Sequence, residues 1–258
     1  MKFTSYKPLA RSVVLESLRR KDLWVVAILG FLIILCAGTL GFFGFDGLEI
    51  FAKDLAVTVL GLFSTIIAIV TSCRLIPDEI KNRTLYPLLA RPITRFDLLV
   101  GKLIGAVLVT WLSFLILCVL TAIALTVFHV HPTIIMIQYM FAKMIGLVVV
   151  CALSMTFSIY MTPNAAATMA FIFSFGTPMI ARGLIMSATS VGPVGKFIYA
   201  VINGALPQVQ LFDMGGRAVY PNWAPVPFWV IGFLVAYGMI YSFAMLAAGW
   251  LKFRKQAI

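Results

Sequence analysis

Residues 76–102 read IPDEIKNRTLYPLLARPITRFDLLVGK, and this one stretch carries eight of the chain's 29 charged side chains. On either side the sequence is almost continuous hydrocarbon. The chain has 258 residues, 62% of them hydrophobic and 11% charged, and a mean hydropathy of +1.05. Such a balance is far from that of soluble domains. A bilayer core of about 30 Å is crossed by about 20 apolar residues in a helix, and several windows here meet that length. None shows the strict alternation of barrel strands. The expected fold is all-α, a polytopic membrane protein in which the charged stretch joins two spans.

Six transmembrane helices are expected in a single domain covering 1–258, near residues 22–43, 55–75, 102–128, 142–160, 164–187 and 226–250. The fourth has an alternative start, because PTIIMIQYMF at 132–141 is also apolar. A start at 142 keeps Lys143 near the outer end, where its stem can snorkel. Ahead of the first span, LARSVVLESLRRKD gathers Leu9, Val13, Val14 and Leu18 near one face, which predicts an interfacial helix over 8–21. An ordinary basic flank is the alternative. The first apolar run is too long for a signal peptide and no small-residue cleavage site follows it, so it is expected to persist as a span.

Six spans put both termini on one side. Lys2, Lys7, Arg11, Arg19, Arg20 and Lys21 precede the first span; Arg74, Lys81, Arg83, Arg91, Arg95 and Lys102 surround the charged stretch; Lys252, Arg254 and Lys255 end the chain. The opposite face has at most Lys53, Arg182, Lys196 and Arg217. The positive-inside rule then makes the charged stretch and both termini cytoplasmic. The net charge of +11 reads as topology and contact with anionic lipid, with no need for nucleic acid. Residues 188–225 are punctuated by Gly and Pro yet partly apolar, which predicts short helices re-entering the outer leaflet.

Several chemistries find no support. Every carboxylate (Glu16, Asp22, Asp46, Glu49, Asp54, Asp78, Glu79, Asp97, Asp213) falls outside the expected spans or at an edge, so an ion-coupled carrier lacks its intramembrane relay. His129 and His131 form an isolated pair with no carboxylate or thiolate beside them, and the spans contain no histidine to serve as a base. Cys36, Cys73, Cys118 and Cys151 share no metal-like spacing and read as small reduced hydrophobes. Gly101 and Lys102 mimic the end of a phosphate-binding loop, but Phe96 stands where its first Gly belongs and Leu103 where Ser or Thr belongs. No enzymatic activity, cofactor or metal is expected on this chain.

Within 76–102, Pro77 suits the first turn of a new helix, and Asp78 and Glu79 then sit at its positive dipole end. Pro87 ends or kinks that helix. Pro92 biases Arg91 toward extended backbone. Thr94 with Asp97 three residues later forms a capping-box pattern that starts the next span. Gly101 and Gly105 give a small-xxx-small spacing suited to close helix packing. The expected result is a rigid charged hairpin over 76–101.

DEIKNRTLYPLLARPITRFDLLVGKLIG resembles a segment of ABC transporter type 2 permeases, through Glu79, Arg83, Thr84, Leu85, Leu88, Leu89, Pro92, Ile93, Thr94, Arg95, Leu98, Leu99, Gly101 and Lys102. ALSMTFSIYMTPNAAATMAF at 152–171 and ALPQVQLFD at 205–213 resemble later segments of the same family. The resemblance implies a six-helix exporter subunit in a bacterial inner membrane. Its partners would be a second permease copy or relative and two copies of a separate ATPase subunit, which would hold ATP and Mg. It also implies that residues 76–92 form the coupling helix, with the flat helix at 8–21 supporting it. Asp78, Glu79, Lys81 and Arg83 would then meet the ATPase's charges, with Asn82, Thr84, Arg91 and Arg95 beside them, while Tyr86, Leu88 and Leu89 would pack. A non-transporting scaffold of the same architecture is the alternative. The spans offer Phe, Met, Ser and Thr to a cargo, which favours an amphipathic or apolar one.

Overall fold

A computed structural model describes residues 13, 28, 30–31, 48–81, 95–127, 133–177, 207–220 and 223–255. Among these residues every regular element is helical. The helices are α1 (Leu48–Lys81), α2 (Arg95–Val127), α3 (Ile134–Tyr160), α4 (Pro163–Phe171), α5 (Gly215–Val219) and α6 (Phe228–Lys255). A π-type turn, Ile172–Gly176, extends α4, and a 3₁₀ turn, Val209–Phe212, precedes α5. Four of these helices, α1, α2, α3 and α6, are long and apolar enough to cross a membrane. Apart from isolated residues, the expected interfacial helix and first span lie outside the described residues, as do His129, His131 and positions 178–187 of the fifth span.

The helices run past the expected spans. At 1.5 Å per residue, α1 and α2 are each about 50 Å long, well beyond a hydrocarbon core of about 30 Å. Where 55–75 was expected to end, α1 continues to Lys81 with Pro77 inside it. Pro77 therefore opens no new helix, and Asp78 and Glu79 occupy the last turn of α1. Proline there removes only the N–H that would have bonded to the Cys73 carbonyl, a loss that neighbouring helices make tolerable. α2 starts at Arg95, well before residue 102, with Asp97 in its first turn. The last helix runs from 228 to 255, where 226–250 was expected.

α3 corrects the fourth span in the same sense. It starts at Ile134, so the apolar run at 132–141 mostly belongs to the helix and Lys143 is drawn inward. α3 is also the centre of the bundle, packed against α1, α2, α4 and α6. From Val149 to Thr156 every side chain on it is buried, as expected of a helix covered all round. α6 instead is a rim helix whose Phe228, Trp229, Phe233, Met239, Ile240 and Phe243 are exposed. Apolar exposure of this kind suits lipid tails, which leave packing and hydrogen bonds to join the helices.

Such bonds tie α3 to two of its neighbours. The Trp111 indole N–H donates to the Met144 carbonyl at 3.0 Å, joining α2 to α3. The Thr156 hydroxyl donates to Met245 O at 2.9 Å and the Tyr160 hydroxyl to Ala248 O at 3.0 Å, joining α3 to α6. Gly249 permits that approach, since a Cβ there would lie 3.1 Å from Ile159 Cδ1. α3 turns into α4 through Met161 and Thr162, with Thr162 extended and Pro163 at the first helical position, where its missing N–H does no harm.

Candidate functional site

The ends of α1 and α2 nearest residues 82–94 form the hairpin end of the bundle. Here the Glu79 carboxylate is ion-paired with the Lys102 ammonium, linking the last turn of α1 to the second turn of α2. The Lys102 side chain is only 2% exposed and that of Glu79 15%. Burial of Lys102 follows from its neighbours, because Leu98, Leu99, Leu103 and Ile76 all belong to the core at this level. Two carboxylates in the last turn of a helix face its negative dipole end. The buried lysine and Lys81 offset that disadvantage.

Lead-in residue Val13 is wedged into the same junction. It is fully buried with Leu75 of α1 and Ala106 and Val109 of α2. Gly105 makes the fit possible: a Cβ at that position would meet Val13 Cβ at 2.7 Å. The close packing expected of the Gly101 and Gly105 spacing is thus used at Gly105 by Val13, while Gly101 is buried. Phe96 meets Trp250 edge-on at 6.2 Å, and the Arg254 guanidinium lies 5.7 Å from the Trp250 ring. A cleft of about 290 Å³ opens between the ends of α1 and α3, lined by Ile76, Pro77, Ile80 and Lys81 on one side and Ser158, Ile159 and Met161 on the other.

The candidate interface residues are therefore unequally placed. Lys81 is exposed and Asp78 half-buried, whereas Glu79 is turned into the α1–α2 junction. Arg95 is the first residue of α2. Asn82, Arg83, Thr84, Tyr86, Leu88, Leu89 and Arg91 lie outside the described residues, as does Thr94. Among the described residues, this end is a packed junction closed by the Glu79–Lys102 pair.

A second charged cluster, at the distal end, was not legible as a cluster in the sequence. Lys143 does not snorkel: it is 8% exposed and pairs with the Asp213 carboxylate at 3.4 Å. Nine residues into α3, it sits about 14 Å from the start of that helix. Asp213 lies outside the long helices and is 44% exposed, as expected of a carboxylate at an edge, yet it reaches a lysine inside the bundle. Its other oxygen accepts the Gly215 N–H at 3.1 Å. The Tyr139 hydroxyl beside them donates to the Val57 carbonyl at 3.1 Å. Gly61 leaves room for this group, since a Cβ there would lie 3.1 Å from the Tyr139 oxygen and 3.5 Å from Lys143 Nζ.

The segment bearing Asp213 is seated by shape as well as charge. Phe212 is 1% exposed and fills a notch at Gly146, where a Cβ would come within 2.7 Å of Phe212 Cβ. The Gln208 N–H donates to the Tyr237 hydroxyl at 3.2 Å. Farther along, the Gln138 amide both accepts from Val226 N–H and donates to Val226 O, each at 2.9 Å. Lys143 was visible as a lone cation in an apolar run, and that was the only available signal.

The sequence profile of ABC-2 family transporter proteins matches residues 9–255. No individual curated protein gives a significant match. With a profile match that spans nearly its whole length and four long apolar helices packed around α3, the chain belongs to the ABC-2 transporter family and is a membrane permease component of an ABC transporter.

Proposed function

We propose that this chain is the permease subunit of an ATP-driven exporter, and that the hairpin end is where a separate ATPase subunit drives it. The supporting observation is the Glu79–Lys102 pair, which with Val13 in its Gly105 notch makes the ends of α1 and α2 one rigid body. A rigid end turns a push on residues 82–94 into a tilt of both helices, and a loose one would absorb it. In this reading the hairpin end and both termini face the cytoplasm of a bacterial inner membrane. Lys81, Asp78 and residues 82–92 meet the ATPase, and Glu79 positions them from within. Two ATPase subunits carry ATP and Mg, and a second permease copy or relative completes the complex.

The test is co-expression with candidate ABC ATPase subunits from the same genome, followed by purification and reconstitution into liposomes. A stable complex whose ATP hydrolysis depends on this chain, and which moves a lipid-like probe such as a fluorescent phospholipid or amphipathic dye in one direction, is the expected result. A complex that hydrolyses ATP while moving no probe favours the scaffold reading. Failure to bind any ATPase overturns the proposal.

A further inference from the structure

We propose that the cleft between the hairpin ends of α1 and α3 is a binding site for a resident anionic phospholipid, its phosphate held by Lys81 with Arg74 below. Such a site serves the chain whatever its cargo. Depth is the first argument. Arg74 is exposed on α1, while Leu75 and Ile76 beside it are buried. An exposed arginine near the end of a membrane-crossing helix marks the headgroup layer, which the long side chain reaches by extending along the helix. The cleft is lined from Ile76 to Lys81, toward the end of α1. At 1.5 Å per residue that is about 3–10 Å beyond Arg74. The abundant anion at this depth is the phospholipid phosphate.

Chemistry is the second. The cleft of about 290 Å³ sets apolar Pro77, Ile80 and Met161 beside two polar residues, Lys81 and Ser158. That volume is at the lower end of ligand pockets, room for a glycerophosphate group but not for a whole lipid. The acyl chains would lie over Ile80 and Met161, which are 44% and 42% exposed. The Ser158 hydroxyl already donates to the Met155 carbonyl at 2.8 Å, so its oxygen is left to accept, as from a glycerol hydroxyl. Charge is the third. Arg74 and Lys81 are seven residues, about two turns, apart and so share a face of α1. Neither has an ion pair among the described residues. The nearby carboxylates are engaged, Glu79 with Lys102 and Asp78 in a contact of its own. At the end of α3, Lys252 lies 5.9 Å from the centre of the Tyr160 ring and adds a further positive charge. Basic pockets between membrane helices are characteristic sites for anionic headgroups. Lysine has three N–H donors, so a phosphate at its side leaves others for a protein beyond the helix end.

The test uses the chain alone, in phosphatidylcholine nanodiscs carrying a trace of phosphatidylglycerol with a diazirine near its glycerol. In light the diazirine loses nitrogen and inserts into adjacent bonds, and mass spectrometry maps where. Cross-links should concentrate on the peptides bearing Ile80 and Met161. Added phosphatidylglycerol should displace the probe, and added phosphatidylcholine or inorganic phosphate should not. Lys81→Gln and Arg74→Gln should each weaken binding about fivefold, the usual contribution of one basic side chain at an anionic surface. Lys81→Arg should keep it. Both side chains are exposed, and a cooperative melt of each variant shows that it folds. Ile80→Glu, which sets a carboxylate on the exposed rim, should lower labelling as well.

Cross-links spread over exposed rim residues such as Phe233 and Phe243, with no enrichment at the cleft, overturn the site. Equal displacement by phosphatidylcholine, or full labelling of a folded variant carrying both Lys81→Gln and Arg74→Gln, overturns recognition of the phosphate's charge. Displacement by inorganic phosphate makes it a site for the free anion and overturns the lipid. Displacement of the probe by a bound ATPase subunit makes the cleft a protein-docking surface, and the lipid assignment falls.

Discussion

Glu79 and Lys102 close the α1–α2 junction from opposite helices, the carboxylate in the last turn of one and the ammonium in the second turn of the other. This pairing changes what Glu79 can do. In the reading proposed above, a carboxylate paired with a buried lysine supports its neighbours from within the junction. Removing one member of a buried pair costs about 3–5 kcal/mol because the other charge is stranded. Glu79→Gln and Lys102→Met should each lower the melting temperature of the detergent-solubilised protein markedly. The exchanged variant, Glu79→Lys with Lys102→Glu, should recover both melting temperature and ATPase binding. If Glu79 meets the ATPase directly, the exchange recovers the melt without the binding.

Val13 and Gly105 predict a paired compensation. A methyl group at Gly105 would lie 2.7 Å from Val13 Cβ, a near-backbone atom that cannot swing aside. Gly105→Ala should therefore destabilise by about 1–3 kcal/mol, the usual range for overpacking. Adding Val13→Ala should return part of that loss. Thermal melts of the two single variants and the double variant form the test.

Gly146 should be less tolerant than Gly216. A Cβ on Gly146 meets Phe212 Cβ at 2.7 Å, while one on Gly216 meets nothing within 4 Å. Gly146→Ala should lose about 1–3 kcal/mol, and Gly216→Ala should be neutral within about 0.5 kcal/mol. Melting temperatures of the two variants, measured side by side, check the contrast.

Three native thiols should be silent. Cys73, Cys118 and Cys151 are 1%, 9% and 0% exposed. Cys73 Sγ donates to the Ser154 carbonyl at 3.6 Å and Cys151 Sγ lies 3.5 Å from Thr110 Oγ1. Mass spectrometry after brief maleimide treatment of the folded protein should find these three unmodified, and all three modified after denaturation in dodecyl sulfate.

The distribution of legible and illegible features has a physical cause. Run length and hydropathy are local quantities, so the existence of long apolar helices could be read directly. The break between the spans expected at 142–160 and 164–187 was equally local, and it falls at Thr162 and Pro163. Helix ends were not: α1 runs through Pro77 to Lys81, with Ile76 buried in the core and Glu79 paired with Lys102 of α2, and neither contact is a property of residues 76–80 alone. The start of α3 at Ile134 depends likewise on packing of Ile135, Met136 and Tyr139 against α1 and the 215–219 helix.

By itself, the sequence determined an all-helical membrane protein with a charged turn between two of its spans, because about 20 uninterrupted apolar residues admit almost no other structure. It also carried the family, through short motifs whose spacing survives without coordinates. Only the tertiary structure decided which charges meet. Lys143 and Asp213 are 70 residues apart, and Glu79 and Lys102 belong to different helices. Such pairs are chosen by which helix faces come together and by where glycine lets them come close, as at Gly61, Gly105 and Gly146. Hydropathy has no term for that.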